Sequence, residues 1–263
     1  MNARVIAVAN QKGGVGKTTT VVNLAAGLAE LGRRVLIVDL DPQGNATMGS
    51  GIAKQALEQS VYHVLLGDAS VEEVRQPAKQ GGYHVLPANR DLGGAELELV
   101  NELAREARLK NALSLVDDQY DYVLIDCPPS LNLLTLNGLV AANSVLIPMV
   151  CEYYALEGLS DLVTTLRKVR TAVNPRIEIM GLLRTMFDAR SNLSQQVSEQ
   201  LASHFGSKVF ETVIPRNVRL AEAPSHGLPG LVYDRNARGA QAYLALAQEL
   251  TARLEPATAT PSV

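Results

Sequence analysis

The sequence predicts an α/β fold: one domain with a mostly parallel twisted sheet and helices on both faces. Three observations carry this. Short apolar runs of strand length alternate with longer segments of helical period. The runs are rich in Val, Ile and Leu at both parities, the pattern of strands buried on two faces. No Gly/Pro-rich stretch is long enough to be an interdomain linker. In order, Val5–Ala9 (VIAVA) is the first strand, and the glycines after it open a turn. Lys17–Leu31 has an apolar stripe of helical period and stops at Gly32, a helix-ending glycine. Further strands are expected at Val35–Val38, His84–Leu86, Tyr122–Ile125, Ser144–Pro148, Ile177–Thr185 and Lys208–Ile214. Helices are expected at Ala95–Leu115, Leu133–Ala141, Leu156–Val173, Leu193–His204 and Arg238–Leu254. Residues 1–254 form the domain, and 255–263 (EPATATPSV) read as a flexible tail.

Composition narrows the function. With 47% hydrophobic residues and 19% charged, the 263-residue chain can bury a large core and is no disordered segment. No run of eighteen apolar residues occurs and the first dozen positions do not form a signal peptide, so a cytoplasmic protein is expected. Two cysteines, Cys127 and Cys151, are too few for a disulfide framework and lack metal-site spacing. A net charge of −3 argues against binding nucleic acid by bulk positive charge, so any such binding needs a local patch.

The sharpest signal is NQKGGVGKTTT, set between the first strand and the first helix, which is where a phosphate-binding loop belongs. Glycine conformations let the backbone N–H groups of Gly13, Gly14, Val15 and Gly16 turn inward onto phosphate oxygens. The helix dipole adds to them. Lys17 would reach the β- and γ-phosphates, Thr18 would offer its hydroxyl to Mg²⁺, and Thr19 would sit near the α-phosphate. The strict pattern G-x-x-x-x-G-K-[ST] fails, because Gln11 stands five before Gly16. A second lysine, Lys12, follows it.

Carboxylates gather at strand ends, where open α/β sheets place their ligands. VLIVDLDPQ puts Asp39 and Asp41 at the end of the second strand, with side chains on one parity. YVLIDCPPS puts Asp126 after an apolar strand, the arrangement that holds a Mg²⁺ water in phosphate-loop enzymes. Asp39 is expected as a possible water-mediated metal partner.

KGGVGKTT resembles the deviant Walker A motif of the ParA/MinD/NifH superfamily, and DPQGNAT, DCPPSL, MFDAR and IPRNVRLAEAPSHG extend the resemblance along the chain to the chromosomal ParA/Soj group. The resemblance implies an ATPase in which Lys12 crosses a dimer interface to the partner's ATP, as an arginine finger does. It implies that Asp41 orients the attacking water, that Cys127-Pro128-Pro129-Ser130 senses the γ-phosphate, and that Pro215 and Asn217 contact adenine. Intrinsic turnover is then expected to be slow. Arg190 and Arg219 match DNA-binding positions of Soj-type proteins, with Arg216 and Lys208 as neighbours. Residues 184–240 carry seven Lys/Arg against five Asp/Glu, whereas 1–183 carry sixteen against twenty, so the C-terminal third is locally basic.

The implied function is an ATP-dependent homodimeric switch that binds duplex DNA without sequence preference, associates with the nucleoid, and is stimulated by a ParB-like centromere-binding partner. The alternative is a MinD-like membrane-positioning ATPase. That reading calls for a basic amphipathic helix at the C-terminus, and EPATATPSV does not supply one. No membrane partner is therefore expected. An iron-protein reading lacks paired cysteines, and a ligase on the same fold is opposed by the second lysine.

Overall fold

A computed structural model describes residues 3–153 and 155–255. Strands β1 (Arg4–Val8), β2 (Val35–Asp39), β3 (Gln76–Pro77), β4 (His84–Leu86), β5 (Tyr122–Asp126), β6 (Ser144–Val150), β7 (Glu178–Phe187) and β8 (Val209–Pro215) make one eight-stranded sheet in the order β3-β4-β2-β5-β1-β6-β7-β8. Every pairing is parallel except β3 with β4. The seven expected strands are present with ends shifted by one or two residues, and β3, only two residues long, was too short to announce itself.

Alternation along the strands divides the core. Val5 and Ala7 of β1 pack on one face with Val38, Val123 and Ile125, while Ile6 and Val8 pack on the other with Ile37, Leu124 and Leu146. Helix α1 (Lys17–Glu30) covers the second face beside α12 (Arg238–Leu254). Gly27 of α1 makes this possible: a Cβ there would stand 3.0 Å from Ala247 Cβ and 3.3 Å from Tyr243 O. Gly32 takes φ +76 just after α1, as a helix-stopping glycine should.

On the first face lie α7 (Leu133–Ala141), α8 (Ala155–Ala172) and α9 (Asn192–Phe205), close to the expected spans. Short helices that the sequence did not announce complete the shell: α2 (Asn45–Gly49), α3 (Val61–Leu66), α4 (Val71–Val74), α10 (Val218–Glu222) and α11 (Gly230–Tyr233).

One expectation fails. The helix read over Ala95–Leu115 is broken into α5 (Leu92–Glu98), two short 3₁₀ turns and α6 (Arg108–Leu113), with Ala104 left-handed at φ +51. The cause lies on another element. Asn137 of α7 donates Nδ2–H to Arg105 O at 2.9 Å and accepts Leu109 N–H on Oδ1 at 3.1 Å. Arg105 O and Leu109 N are the two groups a continuous helix would join to each other, so the buried amide of Asn137 replaces one helical bond with two of its own.

Among the described residues no helix is long and apolar enough to cross a membrane. Of the segment expected to be a tail, Glu255 accepts a hydrogen bond from Tyr122 Oη at 2.6 Å and pairs with Arg33, and 256–263 lie outside the described residues.

Candidate functional site

The site is built where β1, β2 and β5 end side by side. In the parallel register Val8 lies opposite Asp126 and Asp126 opposite Asp39, so two carboxylates are neighbours on adjacent strands at one level. Both are fully buried. The loop after β1 turns through Gly14 (φ +72) and Gly16 (φ +88), the second being the N-cap of α1. A residue with a side chain pays heavily for those angles, which explains the glycines.

Lys17 opens α1 with only 8% of its surface exposed, and its Nζ donates to Lys12 O at 3.2 Å. Burial lowers its pKa, and the nearby Asp126 and Asp41 oppose that shift. Thr18 donates Oγ1–H to Asp126 Oδ2 at 2.7 Å. Thr19, half-buried, borders the recesses on both sides of the loop. Val15 is buried, and its carbonyl accepts from Thr185 Oγ1 of β7 at 2.8 Å. That bond ties the phosphate loop to the strand on the far side of β6. It was not foreseen, since nothing local to Thr185 marks it.

Burial pushes Asp126 well above the usual carboxylate range, and the adjacent Asp39 pushes it further. Its Oδ1 is buried with no hydrogen-bond partner among the described residues. An orphaned carboxylate oxygen beside a threonine hydroxyl fits a hydrated divalent cation held mainly by a nucleotide's phosphates. Among the described residues no three His, Cys, Asp or Glu side chains gather as a metal cage.

Asp39 is held by three hydrogen bonds. Its Oδ2 accepts both Thr47 N–H at 2.8 Å and Thr47 Oγ1–H at 2.7 Å, and its Oδ1 accepts Asp41 N–H at 3.2 Å. Burial raises its pKa to about 6. Thr47 Oγ1 in turn accepts Ala88 N–H at 2.9 Å. Asp39 is thus a peg that holds the loop between β2 and α2. Gly44 in that loop is required by contact as well as by its φ of +59: a Cβ would stand 2.7 Å from Ala88 O. The peg leaves Asp41 half-buried at the mouth, where its Oδ1 accepts Gln43 N–H at 2.9 Å. Asp41 contributes to the field at Lys17.

Lys12 points outward. Its Nζ lies 2.6 Å from Glu152 Oε2, just beyond β6, with about half of each side chain exposed (50% and 53%). A pair so exposed is worth little, roughly 0.2–1 kcal/mol. Glu152 was not singled out in the sequence. Gly13 has open space around it: a Cβ there would have no neighbouring atom within 4 Å.

Pro215 ends β8 opposite Phe187, and Asn217 caps α10 by accepting Leu220 N–H on Oδ1 at 3.3 Å. The cap uses the amide oxygen, so the Nδ2 donor is not engaged by it. Both border a recess of about 170 Å³ that also touches Gly16, Thr19 and Met186. It joins the phosphate loop to the IPRN turn. Met186 takes φ +48 at its wall, a strained conformation for a side-chain-bearing residue and one that clusters at ligand sites.

The four expected DNA contacts do not form one patch. Arg190, 91% exposed, grips Asp188 through Nε and Nη2 at 3.0 and 3.1 Å. Those bonds hold Asp188 at a pKa of about 2. Arg219 pairs with Glu222 at 2.9 Å and Asp234 at 3.4 Å. Arg216 follows the end of β8, whereas Lys208 precedes its start, so a strand of roughly 20 Å separates them. Lys208 instead borders a recess with Arg253, Glu178 and Glu211. It is removed from the basic neighbourhood expected for it. Cys127 and Cys151 are buried free thiols.

Comparison with known proteins adds the following. Residues 3–179 match a family model described as an AAA domain (AAA_31). The sporulation initiation inhibitor protein Soj of Bacillus subtilis is 56% identical over 95% of this chain and 98% of its own. The chromosome partitioning protein ParA of Myxococcus xanthus is 52% identical over 96% and 89%. Among solved structures, a Mycobacterium smegmatis protein named cobyrinic acid a,c-diamide synthase, with bound ATP analogue and magnesium, superposes with a TM-score of 0.85 at 40% identity, covering 99% of both chains.

Proposed function

The chain belongs to the ParA/Soj family of chromosome-partitioning ATPases, within the AAA_31 P-loop family, and from that premise we propose that it is a DNA-segregating switch worked by ATP. ATP and Mg²⁺ bind at the loop of residues 12–19, two chains pair around two nucleotides, the pair holds duplex DNA, and hydrolysis releases it. A ParB-like protein speeds that release.

The observation that carries the reading is the division between the two lysines. Lys17 is buried in the loop, placed for its own nucleotide, while Lys12 stands out at the rim on a weak exposed pair with Glu152. A cation on such a tether can leave it for a phosphate of a second chain at small cost. Thr18 and Asp126 would hold the hydrated Mg²⁺, which would supply charge neutralisation at the β- and γ-phosphates. Asp41 orients water at the mouth, and Asn217 with Pro215 seats the base. Without an adjacent strong base, turnover is slow and a timer results.

A MinD-type membrane switch is the second reading. Relatives above half identity carry Soj and ParA in their names, which favours DNA over lipid. The test is a duplex-DNA titration with ADP, ATP and a slowly hydrolysed analogue, paired with sedimentation in each nucleotide. Dimers and DNA binding with ATP and the analogue, and neither with ADP, are expected. Monomers in all three conditions would end the proposal. Release of phosphate from ATP with no organic acid added separates this function from the amide-forming synthase named for the M. smegmatis structure.

A further inference from the structure

A cavity of about 620 Å³ opens between α7, α8 and the broken segment that joins α5 to α6. Its walls are largely apolar, with Val100, Leu131, Leu136 and Val169 among them, and two carboxylates, Glu96 and Glu106, border it. Glu96 Oε1 is buried without a hydrogen bond, and among the described residues neither glutamate has a hydrogen-bond or ion-pair partner. Arg105, the cation in the lining, donates Nη1–H to Val100 O instead. The apolar surface runs on past the cavity: Val100 and Leu131 are about half exposed, and Leu97 and Leu103 of the same broken segment are more exposed still.

This cavity is joined to the nucleotide site through α7. Leu131 and Asn132 in its wall directly follow Cys127-Pro128-Pro129-Ser130, the stretch after Asp126. Asn132 caps α7 by accepting Thr135 N–H at 3.0 Å, and Thr135 Oγ1–H reaches back to Ser130 O at 2.6 Å. Gly138 lets the helix lie tight on the strand ends, since a Cβ there would stand 3.1 Å from Cys127 Sγ and 3.2 Å from Leu40 Cδ1. On its other side, α7 holds the opposite wall through the Asn137 bonds to Arg105 and Leu109. A displacement of residues 127–131 is therefore a displacement of the cavity's wall, and filling the cavity bears on the same residues.

We propose that this cavity is the docking site of the stimulating partner, and that it takes a protein segment in which apolar side chains flank a lysine or arginine. Unanswered carboxylates at an apolar wall call for a cation carried on an apolar surface. Apolar exposure beyond the cavity calls for a protein segment larger than a small molecule. The same carboxylates repel duplex DNA. The inference rests on the ParB-like partner reading above and deepens it by giving that partner a seat and a chemistry.

The test measures phosphate release from ATP with duplex DNA present, with and without a purified ParB-like partner, in the wild type, in Glu96→Lys/Glu106→Lys and in Val100→Asp. Light scattering follows the ATP dimer of each. Partner stimulation should fall about tenfold in the charge-reversed double variant and several-fold in Val100→Asp, whose side chain is exposed enough to change without loss of the fold. Unstimulated release and the ATP dimer should stay as in the wild type. Full stimulation of either variant overturns the docking site while leaving the partner reading intact. Loss of the ATP dimer in both variants would assign this face to a second copy of the chain, and loss of unstimulated release in both would make it a support of the fold; each overturns the proposal. A wild type that the partner does not stimulate overturns the partner reading itself, and this seat with it.

Discussion

The carboxyl ends of β1, β2 and β5 and those of β7 and β8 lie on one edge of one sheet, yet they treat charge in opposite ways. At the first, Lys17, Asp39 and Asp126 are buried, and strand register fixes where they stand. At the second, Arg190, Arg216 and Arg238 are exposed, and among the described residues only Arg190 of the three is hydrogen-bonded to an acid. A buried charge costs several kcal/mol unless the frame compensates it, so burial implies a ligand or a network. An exposed charge costs almost nothing, and its meaning comes from its neighbours.

This contrast can be broken by substitution. Lys17→Ala should cause the largest loss, weakening ATP binding about a hundredfold or more, because a desolvated ammonium facing phosphates has no substitute. Calorimetric titration checks it, and near-normal affinity would mean the nest works without its lysine. Asp41→Ala should lower hydrolysis by about a hundredfold while ATP-held dimers accumulate, the scale expected for a group that positions the attacking water. Phosphate release and light scattering read the two halves, and unimpaired release would remove Asp41 from the chemistry.

On the exposed side the effect should be smaller. Arg219→Glu adds a third acid beside Glu222 and Asp234, and affinity for duplex DNA should fall by about tenfold while the ATP dimer persists. An unchanged gel shift at low salt would take this flank out of the DNA surface.

The smallest effect sharpens the account of the peg. Asp39 has a folded-state pKa raised by burial to about 6, above its unfolded value. Its neutral form is favoured by folding, so its contribution to stability is greatest below about pH 4 and declines as pH climbs to about 6. Asp39→Asn removes that titration. The melting temperature of the mutant minus that of the wild type should rise by a few degrees across this window in the nucleotide-free protein. A flat difference would show that Asp39 does not titrate there.

The same division governs what could be read in the sequence. Buried strand ends beside a glycine loop are written in local pattern, and Lys17, Thr18, Asp126 and the seven main strands were legible from it. Asp39 was legible as a position but not as a peg, because its partner Thr47 lies eight residues away across a turn. Thr185 on Val15, and Glu152 on Lys12, are joined only by the order of strands, which no local window contains. Lys208 and Arg216 are neighbours in the chain and occupy opposite ends of β8, so charge counting along the sequence merged what the strand separates.

The interruption between α5 and α6 shows conformation on loan. Its residues have no glycine or proline from Leu99 to Leu113, so nothing within the segment forbids a continuous helix. The bend belongs instead to the carboxamide at 137, which makes position 137, outside the segment, the site at which its shape is most sensitive to replacement.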